Sequence, residues 1–118
     1  MEYLLIAMGG IFGSLSRFLI SGRIGEKYSG TYPLGTFIIN ITGVFTLGAV
    51  TAFNPAYNLY ALIVIGFLGS FTTFSTFIVE SLSLFQSGEK KNAILYLSLS
   101  ITLGIASYIC GYYLIKVL

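Results

Sequence analysis

Four apolar runs, each about as long as a bilayer-crossing helix, take up nearly the whole chain: Tyr3 to Ser21, Pro33 to Phe53, Leu59 to Phe85 and Ala93 to Val117. A spanning helix needs about 20 mostly apolar residues, because each residue adds about 1.5 Å across a hydrocarbon core about 30 Å thick. Inside lipid a segment must pair its own backbone polar groups, and helices do this without a neighbour. The runs therefore predict an all-α, four-transmembrane-helix integral membrane protein. Its connectors, Gly22 to Tyr32, Asn54 to Asn58 and Gln86 to Asn92, are too short to hold a separate water-soluble domain, so residues 1–118 read as one four-helix domain.

The rest of the composition removes whole classes of function. With six Lys and Arg residues scattered at membrane flanks and a net charge of +2, there is no basic face for nucleic acid. A single cysteine, Cys110, and no histidine exclude an intramolecular disulfide and a Cys/His metal site. No nucleophile, base and orienting group can be assembled, which argues against an enzyme. The first run lacks a basic start and carries Arg17, so it reads as a retained helix rather than a cleaved leader. Arg23, Lys27, Lys90 and Lys91 flank one side of the membrane and Lys116 the other. Retention of basic residues in the cytoplasm then predicts outside termini for a multi-pass protein of the inner or plasma membrane.

The third run is the unusual one. Thr72, Thr73, Ser75 and Thr76 lie within Gly66-Phe67-Leu68-Gly69-Ser70-Phe71-Thr72-Thr73-Phe74-Ser75-Thr76-Phe77, at a depth where a lipid-facing helix needs no hydroxyls. Polar or irregular structure there survives where it is buried in protein or lines a wet path. Phe74 and Phe77, three apart, point roughly the same way on a helix. Their positive ring edges either help replace an anion's water or merely pack. Asn40, one turn after Thr36 in the second run, either donates to an anion or joins helices. Tyr96 and Ser100 form a similar one-turn pair in the fourth run, where joining helices is the favoured role. Arg17, always ionised, either snorkels to the interface or gathers anions. Glu80 is the second intramembrane charge, suited to pairing with a helix end or a hydroxyl. The stretch from Gly69 to Thr72 either packs closely or breaks the third helix and exposes carbonyls to a small cation.

Small residues at helical spacings, among them Gly9, Gly13, Gly43, Gly48, Ser100, Gly104, Ser107 and Gly111, suit close helix approach. They serve either packing within the chain or a contact between copies, and a bundle this small makes an oligomer the expectation.

Taken together, Gly9-Gly10-Ile11-Phe12-Gly13 followed by Arg17, Gly35-Thr36 followed by Asn40, and Gly66 to Gly69 running into Thr72-Thr73-Phe74-Ser75-Thr76-Phe77 and Glu80 resemble the CrcB/Fluc fluoride channel family. The fourth run matches mainly through length, hydropathy, Tyr96 and Ser100. The resemblance implies a passive fluoride channel that relieves fluoride toxicity, built as an antiparallel dimer with two pores and a central structural sodium ion (Na+). By position, Phe74 and Phe77 look like pore phenylalanines and Asn40 like the pore asparagine. Ser75, Thr76, Thr36, Tyr96 and Ser100 resemble pore-side polar residues, Arg17 a vestibule arginine, and Gly69 and Thr72 the backbone carbonyl sites of sodium. Where the family often carries another hydroxyl one turn after Ser100, this chain has Gly104. The partners implied are fluoride, the lipid bilayer, and either a second copy or a homologous chain of opposite orientation. The four-to-one charge bias at the flanks favours the homologous chain. Two other functions compete. A small multidrug-type, proton-coupled cation exporter needs an embedded acid, usually in its first span, where this chain has Arg17. A non-transporting assembly partner would use the hydroxyls of the third run only to join helices.

Overall fold

The computed structural model describes residues 2–27, 33–72 and 74–118, and the side chains of Glu2, Phe74 and Ser75 lie outside that description. Helix α1 (Glu2–Lys27) and helix α2 (Leu34–Phe53) make the first two crossings. The third is composite: α3 (Tyr57–Tyr60), a π-helical segment (Ala61–Leu68), α4 (Gly69–Phe71) and α5 (Phe74–Gln86). Helix α6 (Lys90–Val117) is the fourth. Four stretches are thus long and apolar enough to cross a membrane, and the chain is a multi-pass membrane protein.

Helix α1 continues to Lys27, which corrects the expectation of a connector from Gly22. Once past the lipid, Arg23, Ile24, Glu26 and Lys27 still favour or tolerate helix, and two glycines weaken a ladder without ending it. Helix α2 stops at Asn54, in the left-handed conformation (φ 54°, ψ 61°), with its N–H on the Val50 carbonyl at 3.0 Å. Asn tolerates that conformation, and Pro55 cannot carry the ladder on. Between α5 and α6, Gly88 takes φ +85°. The Glu89 N–H then reaches the Leu84 carbonyl at 2.8 Å and the Gly88 N–H reaches that of Phe85 at 3.3 Å, a Schellman closure. Asn92 Nδ2 donates to Glu89 Oε2 at 3.0 Å across the start of α6.

Glycines set the helix order. A Cβ at Gly66 would lie 2.6 Å from the Ile6 carbonyl oxygen and 3.0 Å from the Gly9 Cα, and one at Gly13 would meet the Phe67 carbonyl and Ser70 Oγ. Ser70 Oγ donates to the Gly10 carbonyl at 2.9 Å. These pairs rise together along the chain, so α1 runs parallel to the third crossing. Helices α2 and α6 meet in the same manner: Gly48 against the Tyr108 carbonyl, Gly111 against that of Phe45, and Ser107 Oγ on the Ile41 carbonyl at 3.0 Å. They too are parallel. Gly43 lies against the Thr72 methyl while Thr36, earlier on α2, pairs with Glu80, later on the third crossing, so α2 runs antiparallel to the third crossing and successive crossings alternate in direction. Gly9, Gly13, Gly43, Gly48 and Gly111 therefore pack within the chain. Gly104 has open space where a Cβ would sit.

The alternation puts Arg23, Lys27, Lys90 and Lys91 at one end of the bundle and Lys116 at the other. The core is small and split. Ile39, Leu68 and Phe71 form one cluster, with Leu47, Val64 and Phe67 against it. Phe77, Leu84, Ala93 and Tyr96 form the second, with Phe37 and Leu97 alongside. Large apolar side chains such as Ile11, Phe12, Phe18, Ile101 and Ile105 face outward, as a lipid-embedded surface requires.

Candidate functional site

At Thr72 the third crossing leaves the helical conformation (φ −82°, ψ 154°), and helix resumes at Phe74. Thr72 Oγ1 turns back onto the Leu68 carbonyl at 2.9 Å, and the Thr72 N–H reaches the same oxygen at 3.0 Å. This side chain closes the end of α4 from within. Gly69, one turn earlier, is exposed, and a Cβ there would meet nothing nearer than the Val64 carbonyl oxygen at 3.7 Å.

Beyond Thr72, α5 presents two faces set by the helical period. Phe77, Ser81 and Leu84 recur every three or four residues and turn inward. The Phe77 ring tilts against the Tyr96 ring, centroids 5.0 Å apart at 56°. Tyr96 is fully buried and its neighbour Phe37 comes from α2, so this cluster joins three helices. Ser81 Oγ donates to the Phe77 carbonyl at 2.8 Å, which satisfies a buried hydroxyl without a partner helix.

Thr76 and Glu80, one turn apart, make the other face of α5. Thr36 on α2 hydrogen-bonds the Glu80 carboxyl group. An ionised carboxylate only accepts, so the Thr36 hydroxyl is then the donor. The second carboxyl oxygen, Glu80 Oε1, is buried with no hydrogen-bond partner among the described residues. Next to this pair lies a cavity of about 240 Å³ lined by Ser14, Arg17, Phe18, Ser21, Thr36, Ile39 and Thr76. It brings one cation and four hydroxyls together between α1, α2 and α5. A concavity of that lining holds water and draws anions, because a fixed positive charge with low-dielectric walls focuses the local field. Ser21 Oγ donates to the Arg17 carbonyl at 2.8 Å and so steadies this turn of α1.

The structure thus gathers Arg17, Thr36 and Thr76 at one cavity and places Phe77 with Tyr96 in the neighbouring cluster. Asn40 is half-buried on α2, one turn after Thr36, and Ser100 is half-buried on α6, one turn after Tyr96. Phe74 and Ser75 lie on α5 by their backbone, and their side chains are outside the described residues. Ser14 and Ser21 escaped the sequence analysis, although Ser14, Arg17 and Ser21 recur on one face of a helix, a spacing that could have revealed them. Among the described residues no group of three His, Cys, Asp or Glu side chains could hold a metal ion.

Residues 4–112 match the family model for CrcB-like protein, Camphor Resistance (CrcB). Among curated proteins, the fluoride-specific ion channel FluC 2 of Clostridium acetobutylicum is 44% identical, with 94% of this chain and 95% of the relative covered. FluC 1 of Carboxydothermus hydrogenoformans, also named a fluoride-specific ion channel, is 40% identical over 96% of this chain and 92% of its own length. FluC 2 of Bacillus cereus, of the same description, is 43% identical over 89% of each chain.

Proposed function

The chain belongs to the CrcB-like protein family, and we propose on that premise that it is a fluoride-selective channel of the cell membrane that lets cytoplasmic fluoride leave passively. It is not an enzyme. The observation that carries the assignment is the cavity where Arg17 meets Thr36 and Thr76, a positively charged, hydroxyl-lined opening in a bundle otherwise built for lipid.

Fluoride is small and strongly hydrated, so a path for it must return several hydrogen-bond donors as water is removed. It must also bind weakly enough at each point for the ion to move on. In this scheme Arg17 raises the anion concentration at the mouth. Thr76, Ser75 and Asn40 supply donors further in, and the edges of Phe74 and Phe77 line the constriction. Tyr96 backs the Phe77 ring, and Ser100 continues the polar side on α6. Thr36, on α2 beside Thr76, belongs to the polar lining of the same path and holds the Glu80 carboxyl group next to it.

A single bundle of this size encloses little, and we assign the complete pore to a dimer of oppositely oriented chains. At the end of α4, carbonyls lose their helical donors as the backbone turns extended at Thr72. The oxygens of Gly69 and Thr72, offered by both subunits, fit a structural sodium ion, a cation that takes oxygen ligands. The charge bias between the two ends of the bundle favours a homologous partner fixed the other way up over a second copy.

Liposomes loaded with fluoride and chloride and containing the purified chain test the assignment. Fluoride release at an ion-selective electrode with chloride retained is the expected result. Equal release of both ions, or no fluoride release either alone or with a co-expressed homologue, overturns it. A reporter at the C-terminus found equally on both membrane faces would refute the paired-chain arrangement.

A further inference from the structure

At the basic end of the bundle the last turn of α1 and the first turns of α2 enclose a groove of about 380 Å³. Arg23 and Lys27, one helical turn apart and exposed, form its rim, and Ile24, Leu34 and Ile38 form its floor. No ion pair engages either cation among the described residues, although Glu26 lines an adjoining cavity that both cations also border, which leaves the rim with a net positive charge. Leu34 opens α2 and Ile38 lies one turn deeper, so the floor runs from the charged rim toward the hydrocarbon. We infer that this groove holds an anionic phospholipid, with its phosphate between Arg23 and Lys27 and an acyl chain along Leu34 and Ile38.

Charge complementarity and depth both select this occupant. Two cations over an apolar floor match a phosphate above a hydrocarbon chain, and basic pockets between helix ends on the cytoplasmic side take lipid headgroups for that reason. A zwitterionic lipid brings its own cation to the same rim, which offsets much of the attraction of its phosphate. The anionic leaflet is also the one that retains basic flanks, so the lipid and the charge bias fix the chain in the same orientation. A lipid seated here would bridge the last turn of α1 and the first turns of α2.

Native mass spectrometry of the purified full chain, titrated with phosphatidylglycerol or phosphatidylcholine, tests the inference independently of transport. Phosphatidylglycerol adducts are expected to persist at collision energies that strip phosphatidylcholine. The double variant Arg23→Ala with Lys27→Ala should weaken phosphatidylglycerol retention about thirtyfold, as the loss of two near-surface cations implies. Lys90→Ala with Lys91→Ala, at the same end but away from the groove, should change it little. Ile38→Trp fills the floor and should release the lipid without altering the number of subunits. Equal retention of the two lipids, or equal losses in the Arg23/Lys27 and Lys90/Lys91 double variants, reduces the effect to general surface charge and overturns the site. A change of oligomeric state in Ile38→Trp overturns it in favour of a second subunit in the groove.

Discussion

Before Thr72 the third crossing meets α1 backbone to backbone, Gly66 against Ile6 and Gly9, Gly13 against Phe67. After Thr72 it meets α2 and α6 through side chains, Glu80 with Thr36 and Phe77 with Tyr96. The first half has no spare volume and carries little chemistry. The second tolerates changes of volume better and depends on which groups it presents. Helix association in lipid lacks a hydrophobic drive, so close backbone approach has to supply rigidity wherever a polar path is to be held open next door.

The strongest way to break this contrast is to add volume on the backbone side. Gly66→Leu forces side-chain atoms into the Ile6 carbonyl, and neither backbone can yield cheaply, so a destabilisation of about 3 kcal/mol or more is expected. Loss of the monodisperse peak in detergent size-exclusion chromatography would report it, and a well-folded variant would show that the α1 contact is looser than the structure has it. On the side-chain half, Phe77→Leu keeps apolar bulk but removes the ring edge and the Tyr96 contact. Its fold should survive, with about 1 kcal/mol lost from the aromatic pair, while fluoride efflux falls about tenfold or more. Unchanged efflux would remove Phe77 from the path.

Two smaller effects sharpen the comparison. Arg17→Gln takes the fixed charge from the cavity while leaving a polar side chain. Fluoride efflux should fall about two- to fivefold at low ionic strength and less at high salt, because only attraction at the mouth is lost. A salt-independent loss would point instead to a structural role. Gly104→Ala is the least disruptive, since nothing lies within 4 Å of the added methyl. Its melting temperature should stay within the change expected for about 0.5 kcal/mol, and a large shift in the dimer would place Gly104 against a partner subunit.

The crossings are legible in the sequence because an apolar run of membrane length requires helix whatever its neighbours do. Their ends are less so: Gly22 and Gly25 suggest a stop that the favourable residues around them override. Gly9 and Gly13 could not be assigned to one chain or two from spacing, since the chemistry of close approach is the same in both cases. The resemblance identified Arg17, Thr36 and Thr76 separately, yet nothing in their spacing along the chain says that they share a cavity. That depends on α1 running parallel to the third crossing while α2 lies antiparallel to it. The π-helical segment left no trace at all, because Ala61–Leu68 is apolar at every position except Gly66 and offers no period to read.

That segment has a consequence for how the third crossing is aimed. A π turn holds more residues than an α turn, its bonds reaching five residues along rather than four. Each residue of an α-helix rotates the chain by about 100°, so a surplus residue absorbed upstream resets the direction in which everything after it looks. Ala61–Leu68 thus acts as a phase adjuster, letting Gly66 keep its seat against α1 while Phe71 turns toward Ile39 of α2 and Phe77 toward Tyr96 of α6. A chain shortened by one residue in this segment could still cross the bilayer, with its hydroxyls and its phenylalanines facing the wrong neighbours.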